Sequence, residues 1–435
     1  MKKLLAVSVI FLFFGMVIFP STAIQIYNKP IKSVIRGNTL YVGGSGPGNY
    51  TTIRSAVENA TNGTTVLVYD DSSPYNEWHI DIDKSINLIG ENKETTIVDG
   101  NGTTIFRIVV DNVHITGFYI QNSEARGIRI YSDFNNISDN IFYNVNEGLD
   151  FTSSDYNMIY RNTIKQTTCG ITLSSSNNNI ISENNLPGWH HVGIIVGGSH
   201  NIISGNILDG SYYRGISLGS SNNTITKNYI TRAGFVKGEM TAGAGIYCYN
   251  GNNIKITKNE VINCEYGMQL NIWSSLIEDN IIINNDWKGI DIHHGDNNLI
   301  KGNIIKENKN MGLIIYYSES NKVIGNAFIN NTNWNPLIFI GGNRNIIEKN
   351  NFIGNLGDAY FENSWGNRWS KNYWDECYNG WIYFIYGIWE IYDPWDMDPN
   401  KEPIRTIHYY NADFRPARKP YEIPDTSYIQ GCGIE

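Results

Sequence analysis

The sequence predicts an all-β chain that winds into a single-stranded parallel β-helix, and three observations lead to this prediction. Asparagine recurs at almost one interval over most of the chain. Apolar residues recur at two fixed positions around each of these asparagines. The intervening residues form short β-branched runs interrupted by Asn, Gly and Ser, a pattern typical of short strands joined by tight turns. A fixed period of this size indicates a stacked repeat rather than one globular core.

Eleven asparagines, separated by 22, 22, 22, 22, 31, 21, 23, 23, 24 and 22 residues, form the main column, here called the asparagine ladder. The ladder consists of Asn140, Asn162, Asn184, Asn206, Asn228, Asn259, Asn280, Asn303, Asn326, Asn350 and Asn372. An apolar residue stands three positions before and two positions after each of them, and Trp369 and Trp374 take these places in the last repeat. A second asparagine column lies five positions earlier, with Ile254 and Ser275 as its exceptions.

A repeat of about 22 residues has room for three short strands but not for a helix of about ten residues, which argues against helical and leucine-rich solenoids. Stacked strands lie about 4.8 Å apart, so each column becomes a line along the axis. We therefore expect apolar columns in the interior and asparagine side chains that hydrogen-bond from coil to coil. About 12 coils are predicted between residues 63 and 374 at this spacing.

The two ends of a β-helix expose strand edges and core side chains, so both ends need caps. Ile53, Ala56, Val57 and Ala60 are spaced as on one face of a short helix, which predicts an N-terminal capping helix within residues 24–62. Residues 375–435 are rich in Trp and Pro and predict an irregular aromatic C-terminal cap.

Residues 1–23 have the layout of a signal peptide, with Lys2 and Lys3, an apolar run to Phe19, and small residues ending at Ala23. A retained membrane anchor is the alternative. We expect a secreted or cell-surface protein, periplasmic if the source has an outer membrane.

Loss of residues 1–23 leaves 31 Lys and Arg against 42 Asp and Glu, a net charge of −11, which disfavours a nucleic-acid partner. The five cysteines imply no complete disulfide framework, although Cys377 and Cys432 could pair. We expect no cofactor and no metal site. Ca²⁺ is the one alternative, because DPWDMDPN contains Asp393, Asp396 and Asp398. The oligomeric state is left open.

The repeats NNIISGN, NNTITKN and NLIKGN, the opening GNYTTIRSAVENATNGTTVLVYDDSSPYNE and the NYW that begins at Asn372 carry a resemblance to a known group. Over roughly residues 40 to 420 the chain resembles the right-handed, pectin-lyase-like β-helix superfamily, and within it the NosD-like group of carbohydrate-binding proteins and sugar hydrolases. The resemblance implies a right-handed coil. It does not imply one activity, since this scaffold hosts lyases, hydrolases, epimerases, adhesins and structural surface proteins.

Eight or nine residues after most ladder positions, a glycine begins an alternating strand whose second and fourth residues are expected to point outward. Mixed aromatic and polar side chains suit a sugar polymer, whose rings have apolar faces and hydroxyl rims. The expected substrate-binding residues are Tyr247, Tyr249, Gln269, Asn271, Tyr266, Trp287, Tyr316 and Tyr213. Trp189, His190, Tyr212, Tyr213, Tyr266 and Trp287 are expected to form one wall. An insertion at about residues 232–244 explains the interval of 31 residues and precedes the strand that bears Tyr247.

The segment WKGIDIHHGD places Asp291 and His293 two residues apart, and therefore on one face of a strand, with Lys288 at the preceding turn. These three are the candidate catalytic residues, because together they could neutralise a uronate and move its C5 proton. The D-x-H spacing is similar to the catalytic stretch of mannuronan C5-epimerases, in which a tyrosine takes the position of Lys288 and a proline that of Ile292.

Two functions therefore remain. The leading hypothesis is a secreted or cell-surface β-helix that binds polysaccharide or serves a structural role, without catalysis. The alternative is a polysaccharide lyase or uronan C5-epimerase that works around Asp291 and His293. The His190–His191 and His293–His294 pairs lack the Cys and Met neighbours of a copper-delivery site, so no copper role is expected.

Overall fold

Three parallel sheets run along the solenoid in the computed structural model, which describes residues 38–236, 239–240, 243–331, 337–357, 359–375, 382–391, 403 and 405–423. The all-β parallel β-helix prediction is confirmed. The first sheet contains fifteen strands, more than the 12 coils predicted. The predicted number of coils is too low because the earliest coils lack the ladder asparagine. Their strands are nevertheless part of the stack, since Thr39–Val42 pairs with Thr65–Val68.

The first sheet precedes the asparagine ladder in each coil. Its strands are Thr39–Val42, Thr65–Val68, Asn87–Gly90, His114–Thr116, Asn136–Ser138, Met158–Tyr160, Ile180–Ser182, Ile202–Ser204, Thr224–Thr226, Lys255–Thr257, Leu276–Glu278, Leu299–Lys301, Lys322–Ile324, Ile346–Glu348 and Arg368–Ser370. Paired residues differ by about one repeat, as in Ile137 opposite Ile159, so the interior apolar column is continuous.

The second sheet follows the ladder, and the third sheet follows the second. Four long strands run through both sheets, namely Tyr119–Ile130, Ile141–Thr152, Asn185–Gly197 and Ile207–Leu218. The other strands of the second sheet are Tyr75–Asn76, Ile97–Asp99, Thr163–Lys165, Tyr229–Thr231, Glu260–Ile262, Ile281–Ile283, Ile304–Lys306, Ala327–Ile329, Asn351–Ile353 and Tyr373–Trp374. Those of the third sheet are Ile80–Ile82, Phe106–Ile108, Cys169–Ser174, Ala244–Asn252, Tyr266–Trp273, Ile290–His293, Leu313–Tyr316, Ile338–Gly341, Ala359–Glu362 and Tyr383–Ile391.

The ladder asparagines lie at the bend between the first and second sheets and are buried. Nδ2 of Asn162 donates to the carbonyl of Ile137 at 2.9 Å and to Oδ1 of Asn184 at 3.1 Å, and the same arrangement recurs along the ladder. The residue before each ladder asparagine has a left-handed backbone, as at Asp139 (φ 54°) and Gly205 (φ 64°). The bend is therefore one left-handed residue followed by an asparagine that satisfies the backbone groups exposed by the turn.

The N-terminal cap is the α-helix Ile53–Asn59, and its existence is confirmed. Thr52 caps it by accepting from the backbone N–H of Ser55, and Glu77 accepts from the backbone N–H groups of Ile53 and Arg54 at 2.6 and 2.9 Å. Ile53, Ala56 and Val57 are buried, so the apolar side of the helix covers the first coils, as the spacing predicts.

The C-terminal cap is aromatic, as predicted, but it is not wholly irregular. Tyr383–Ile391 forms an antiparallel pair with the strand Arg405–Asp413. Trp374 stacks between Phe352, with ring centroids 4.1 Å apart, and Tyr383, at 4.0 Å. These rings cover the apolar end of the last coil. Residues 1–23, the three aspartates of DPWDMDPN, and Cys377 and Cys432 lie outside the described residues.

The insertion responsible for the interval of 31 residues includes a short antiparallel pair, Phe235–Val236 with Glu239–Met240. The coils on both sides keep their register across it, since Arg214 pairs with Ala244 and Ser217 with Tyr247. The insertion therefore adds a hairpin beside the third sheet without interrupting the stack.

Candidate functional site

The solvent side of the third sheet, here called the outward face, holds the candidate site. Strand pairing aligns one column of side chains along the axis: Asp81, Arg107, Arg129, Asp150, Thr172, Ile195, Ser217, Tyr247, Gln269, Asp291, Ile314, Phe339, Tyr360 and Tyr386. Neighbouring members are about 4.8 Å apart in backbone position. A second column, two residues later, includes Tyr249, His293 and Tyr316.

Asp291 is the centre of a compact charged cluster. Lys288 donates from Nζ to its Oδ2 at 2.9 Å, and Nε2 of His293 lies 2.9 Å from its Oδ1. The contact with His293 is close but is not a well-aligned hydrogen bond, so Oδ1 keeps unused acceptor capacity. Burial opposes ionisation of Asp291, but His293 and Lys288 outweigh it and hold the pKa of this carboxyl below its ordinary value.

The carboxylate of Asp291 is only 2% exposed, although its backbone position is on the outward face. Its place on the outward face agrees with the strand alternation, but neighbouring side chains bury it. Lys288 and His293 cover it, and His293 retains 37% of its side-chain exposure. The imidazole, not the carboxylate, is thus the group of this pair that a ligand can reach.

Two tyrosines flank the cluster. The ammonium of Lys288 lies 5.7 Å from the ring centroid of Tyr266, and burial, followed by the charges of Asp291 and Glu265, raises the pKa of Tyr266 to about 12. The ring of His293 meets that of Tyr316 edge-on, with centroids 5.4 Å apart. The hydroxyl of Tyr316 donates to that of Tyr317 at 3.0 Å. Phenol groups that remain protonated can donate hydrogen bonds or protons at this site.

The other predicted binding residues are placed along the same face. Gln269 is paired with Asp291, and Tyr247 is paired with Gln269 one coil earlier. The guanidinium of Arg214 lies 3.4 Å from the ring centroid of Tyr247, so that ring is already covered on one side. Tyr249 is 61% exposed. Asn271 and Trp287 are half-buried.

The predicted wall is not continuous. Tyr213 is exposed and packs against His191 and Tyr212, but its coil is three steps from that of Lys288, about 14 Å along the axis. His190 is 1% exposed and cannot form an outward wall, so this part of the prediction is wrong. A register shift in the pairing around His190 turns its side chain inward.

An aromatic stripe beyond Tyr316 was missed by the sequence reasoning. Tyr316, Phe339, Tyr360 and Tyr386 follow one another with ring centroids 5.5, 5.6 and 5.9 Å apart. The glycine that begins most of the earlier strands is missing here, because Leu337 takes its place before the strand that bears Phe339. Continuation of the strand register past Ile314 would have found the stripe.

A second charged cluster occupies the other end of the outward face. Nε of Arg126 lies 2.5 Å from Oδ2 of Asp150 and 3.1 Å from Oε2 of Glu147, and Nε of Arg129 lies 3.3 Å from the same oxygen of Asp150. Asp150 is 4% exposed. Burial raises the pKa of Glu147, partly offset by Arg126. This cluster lies six coils from Asp291, about 29 Å away.

Within the described ranges, no group of three or more His, Cys, Asp or Glu side chains is arranged to hold a metal ion. Cys169, Cys248 and Cys264 are free thiols, and burial raises the pKa of Cys248 and of Cys264 to about 12. Across the same described part of the chain, no helix has the length and apolar character required to cross a membrane.

Two family models match the chain. The model described as right handed beta helix region matches residues 180–328, and that described as periplasmic copper-binding protein (NosD) matches residues 57–238. No protein with a curated description matches.

Several solved structures are similar to the chain at low identity. The Dettilon tailspike protein is 18% identical over 76% of this chain and 67% of its own, with a TM-score of 0.41. The periplasmic alginate epimerase AlgG is 14% identical over 74% and 83%, with a TM-score of 0.42. PfbA, a surface adhesin of Streptococcus pneumoniae, is 12% identical over 84% and 95%, also with a TM-score of 0.42.

The family models agree with the strand pairing and with the asparagine ladder on one architecture. Their matched segments overlap and together extend from residue 57 to residue 328, across the coils that carry the ladder from Asn140 to Asn326. This chain is a right-handed parallel β-helix protein.

Proposed function

We propose that the outward face binds a polysaccharide that lies along the solenoid axis. The observation that supports this proposal is the aromatic stripe of Tyr316, Phe339, Tyr360 and Tyr386, one ring per coil. The three earlier rings are half-buried, so each keeps surface that a ligand can contact. Stacked sugar rings present apolar faces that suit such a surface, and the polar groups of Gln269 and His293 continue it.

The predicted signal peptide would place this face outside the cytoplasm, where polysaccharides are encountered. Binding needs no chemistry from the Asp291 cluster. In this reading, Lys288 and His293 act as hydrogen-bond donors to the polymer, and buried Asp291 fixes their positions.

The test is a binding measurement against alginate, pectate and neutral glucans by affinity electrophoresis and calorimetry. Replacement of Phe339 and Tyr360 by alanine together should weaken binding at least tenfold. The matched control is Tyr156→Ala, since Tyr156 is also exposed and stacked, on Phe134 at 5.2 Å, but lies outside the stripe. If no glycan binds, or if the control weakens binding equally, the proposal fails and a structural role is favoured.

A second candidate function is uronan lyase or C5-epimerase activity, favoured by the contacts among Lys288, Asp291 and His293. Asp291 faces Nε2 of His293, so Nδ1 is the nitrogen that would take the C5 proton. In a lyase the C5–H electrons form the C4–C5 double bond while the C4–O bond breaks and the leaving oxygen gains a proton. In an epimerase a proton returns to C5 from the other side, and Tyr316, whose ring meets that of His293 edge-on, is the candidate donor.

Ultraviolet absorbance of the unsaturated product reports the lyase, and deuterium uptake at C5 in D₂O reports the epimerase. His293→Ala should abolish either signal. His294→Ala is the matched control, because its ring is exposed and stacks on Tyr317 at 5.2 Å, away from Asp291. If alginate and pectate remain unchanged by the wild-type protein, the catalytic candidate is excluded while binding is still open to its own test.

A further inference from the structure

A second groove, separate from the outward-face cluster, opens in the N-terminal half of the solenoid. It has a volume of about 1560 Å³ and extends from Asn76 to Tyr212 along the turns between the second and third sheets. Asp291, His293 and the aromatic stripe contribute nothing to its lining.

Amide side chains form one line in this groove. Asn122, Asn144 and Gln166 occupy the same turn position in successive coils, each with a left-handed backbone. Nδ2 of Asn144 donates to Oδ1 of Asn122 at 2.9 Å, and Nδ2 of Asn122 donates to Oδ2 of Asp99 at 2.6 Å. These bonds use one proton of each of the two amides, so the second proton of each and the amide group of the exposed Gln166 remain for a ligand. Amides of this kind hydrogen-bond to hydroxyl groups as donor and as acceptor.

Aromatic rings stand at the two ends of the groove. Trp78 is 37% exposed at one end. At the other end, Tyr212 and His191 pack with ring centroids 5.5 Å apart. Aromatic faces combined with amides are the chemistry that binds sugar rings.

The groove also borders polar groups whose hydrogen bonding is incomplete. Thr167 and His190 are 5% and 1% exposed and contact each other at 2.7 Å through Oγ1 and Nδ1. Nε2 of His190 has no well-aligned hydrogen bond, and the hydroxyl of Ser211, which is paired with His190, has no partner. In the C-terminal coils, the same interior position holds Asn285, Asn308 and Asn331, whose amides bond from coil to coil. The N-terminal coils do not have this closed ladder next to the groove.

The charges of the lining select among ligands. Its charged residues are the two carboxylates Asp99 and Glu124, with no Lys or Arg among the described residues that line it. Oδ2 of Asp99 already accepts from Gln121 at 2.9 Å and from Asn122 at 2.6 Å. A polymer of uronic acids would meet two like charges and no cation, which disfavours its binding.

We propose that this groove is a binding site for a neutral oligosaccharide, distinct from the polysaccharide surface on the outward face. Trp78 and Tyr212 are the stacking residues, and the line of Asn122, Asn144 and Gln166 bonds to ring hydroxyls. Its volume exceeds the range of about 300–1,000 Å³ that is usual for small-molecule sites, so it has room for several sugar units.

Calorimetry with cellohexaose, xylohexaose and mannohexaose, and with hexagalacturonate as the anionic probe, tests this proposal. At least one neutral hexasaccharide should bind, and Trp78→Ala and Tyr212→Ala should each weaken it at least tenfold. Trp365→Ala is the matched control, because Trp365 is 55% exposed and lies far along the chain from the groove. Circular dichroism and thermal unfolding establish that each variant is folded.

The outcome separates this site from the outward face. Loss of neutral-sugar binding in Phe339→Ala/Tyr360→Ala, with retention in Trp78→Ala and Tyr212→Ala, would assign the ligand to the outward face and overturn the proposal. Binding of hexagalacturonate alone, or of no probe at millimolar concentration, would overturn it as well. Loss of neutral-sugar binding in Trp78→Ala and Tyr212→Ala, with retention in Phe339→Ala/Tyr360→Ala, supports the proposal.

Discussion

The carboxylate of Asp413 accepts hydrogen bonds from both the backbone N–H and the side-chain amide of Asn372, at 2.8 and 3.0 Å through Oδ2. Oδ1 accepts from the backbone N–H of Lys371 at 3.0 Å. Each earlier ladder asparagine donates in this way to Oδ1 of the asparagine in the next coil. Asp413, which is fully buried, is therefore the terminal acceptor of the asparagine ladder, supplied by the antiparallel strand of the C-terminal cap.

We predict that Asp413→Ala destabilises the last coil by about 3 kcal/mol, because it leaves several buried donors without an acceptor. Asp413→Asn should cost less, since its Oδ1 can still accept from Asn372, but its amide group cannot accept from Lys371. Hydrogen exchange of the Lys371 and Asn372 backbone amides measures both variants. Equal exchange in Asp413→Ala and the wild type would show that the ladder does not depend on this acceptor.

An interior ladder position should be equally sensitive. Oδ1 of Asn162 accepts from the backbone N–H of Asn140 at 3.1 Å, and Nδ2 donates to the carbonyl of Ile137 at 2.9 Å. Asn162→Ala should lower the free energy of unfolding by about 3 kcal/mol, because these buried groups lose their partner. Denaturant unfolding measures the change. Asn252→Ala is the control, since its side chain is exposed, and a change within about 0.5 kcal/mol is expected there.

Two carboxylates of the outward column, Asp150 and Asp81, show how burial affects the contribution of an ion pair to stability. Asp150→Asn should destabilise the protein by about 3 kcal/mol, because Arg126 loses its nearest anion in a half-buried site. Asp81→Asn should cost less than about 1 kcal/mol, because Arg107 and Asp81 are both about half exposed. Chemical unfolding of both variants at one salt concentration gives the difference. Equal losses of unfolding free energy in the two variants would mean that burial does not determine how much Asp150 contributes to stability.

The fold could be predicted because the strand register of a β-helix appears in the sequence as a fixed interval between interior residues. Ile137, Ile159 and Ile181 face one another in adjacent strands, and every coil must place an interior residue at the same step. The coil count was less predictable. Thr39–Val42 and Thr65–Val68 stack by ordinary strand pairing and carry no ladder asparagine, so nothing periodic marks them.

The candidate site was predictable only as far as strand alternation extends. Alternation puts Asp291 and His293 on one face, and the structure places them together with Lys288. It says nothing of burial, so the cover that Lys288 and His293 form over Asp291 could not be predicted from it. The groove depends on how successive turns stack, which strand alternation does not predict. The register shift before His190 begins at Pro187, next to Gly188, a local breaker signal that alternation alone does not use. A third asparagine column, from Asn285 to Asn355, could have been found five residues after the ladder.

His190, which lines the groove, should make the free energy of unfolding depend on pH. Burial holds the pKa of His190 at about 4, below its ordinary value of 6.5, although contacts with Thr167 and Leu186 oppose this. Between pH 6.5 and pH 4 the unfolded chain therefore binds a proton at this residue that the folded chain does not bind. The contribution to the free energy of unfolding is complete above pH 6.5 and falls as the pH drops toward 4, by a total of about 3 kcal/mol.

Unfolding free energies of the wild type and of His190→Gln, measured between pH 7.5 and pH 4, test this directly. The glutamine can still contact Thr167 but cannot titrate, so the curve of the variant should lack this decrease and the two curves should converge toward low pH. The remaining histidines are common to both proteins and cancel in the difference. Parallel curves over the whole range would show that His190 titrates in the folded protein as it does in the unfolded chain, and that the groove side of this residue is open to water.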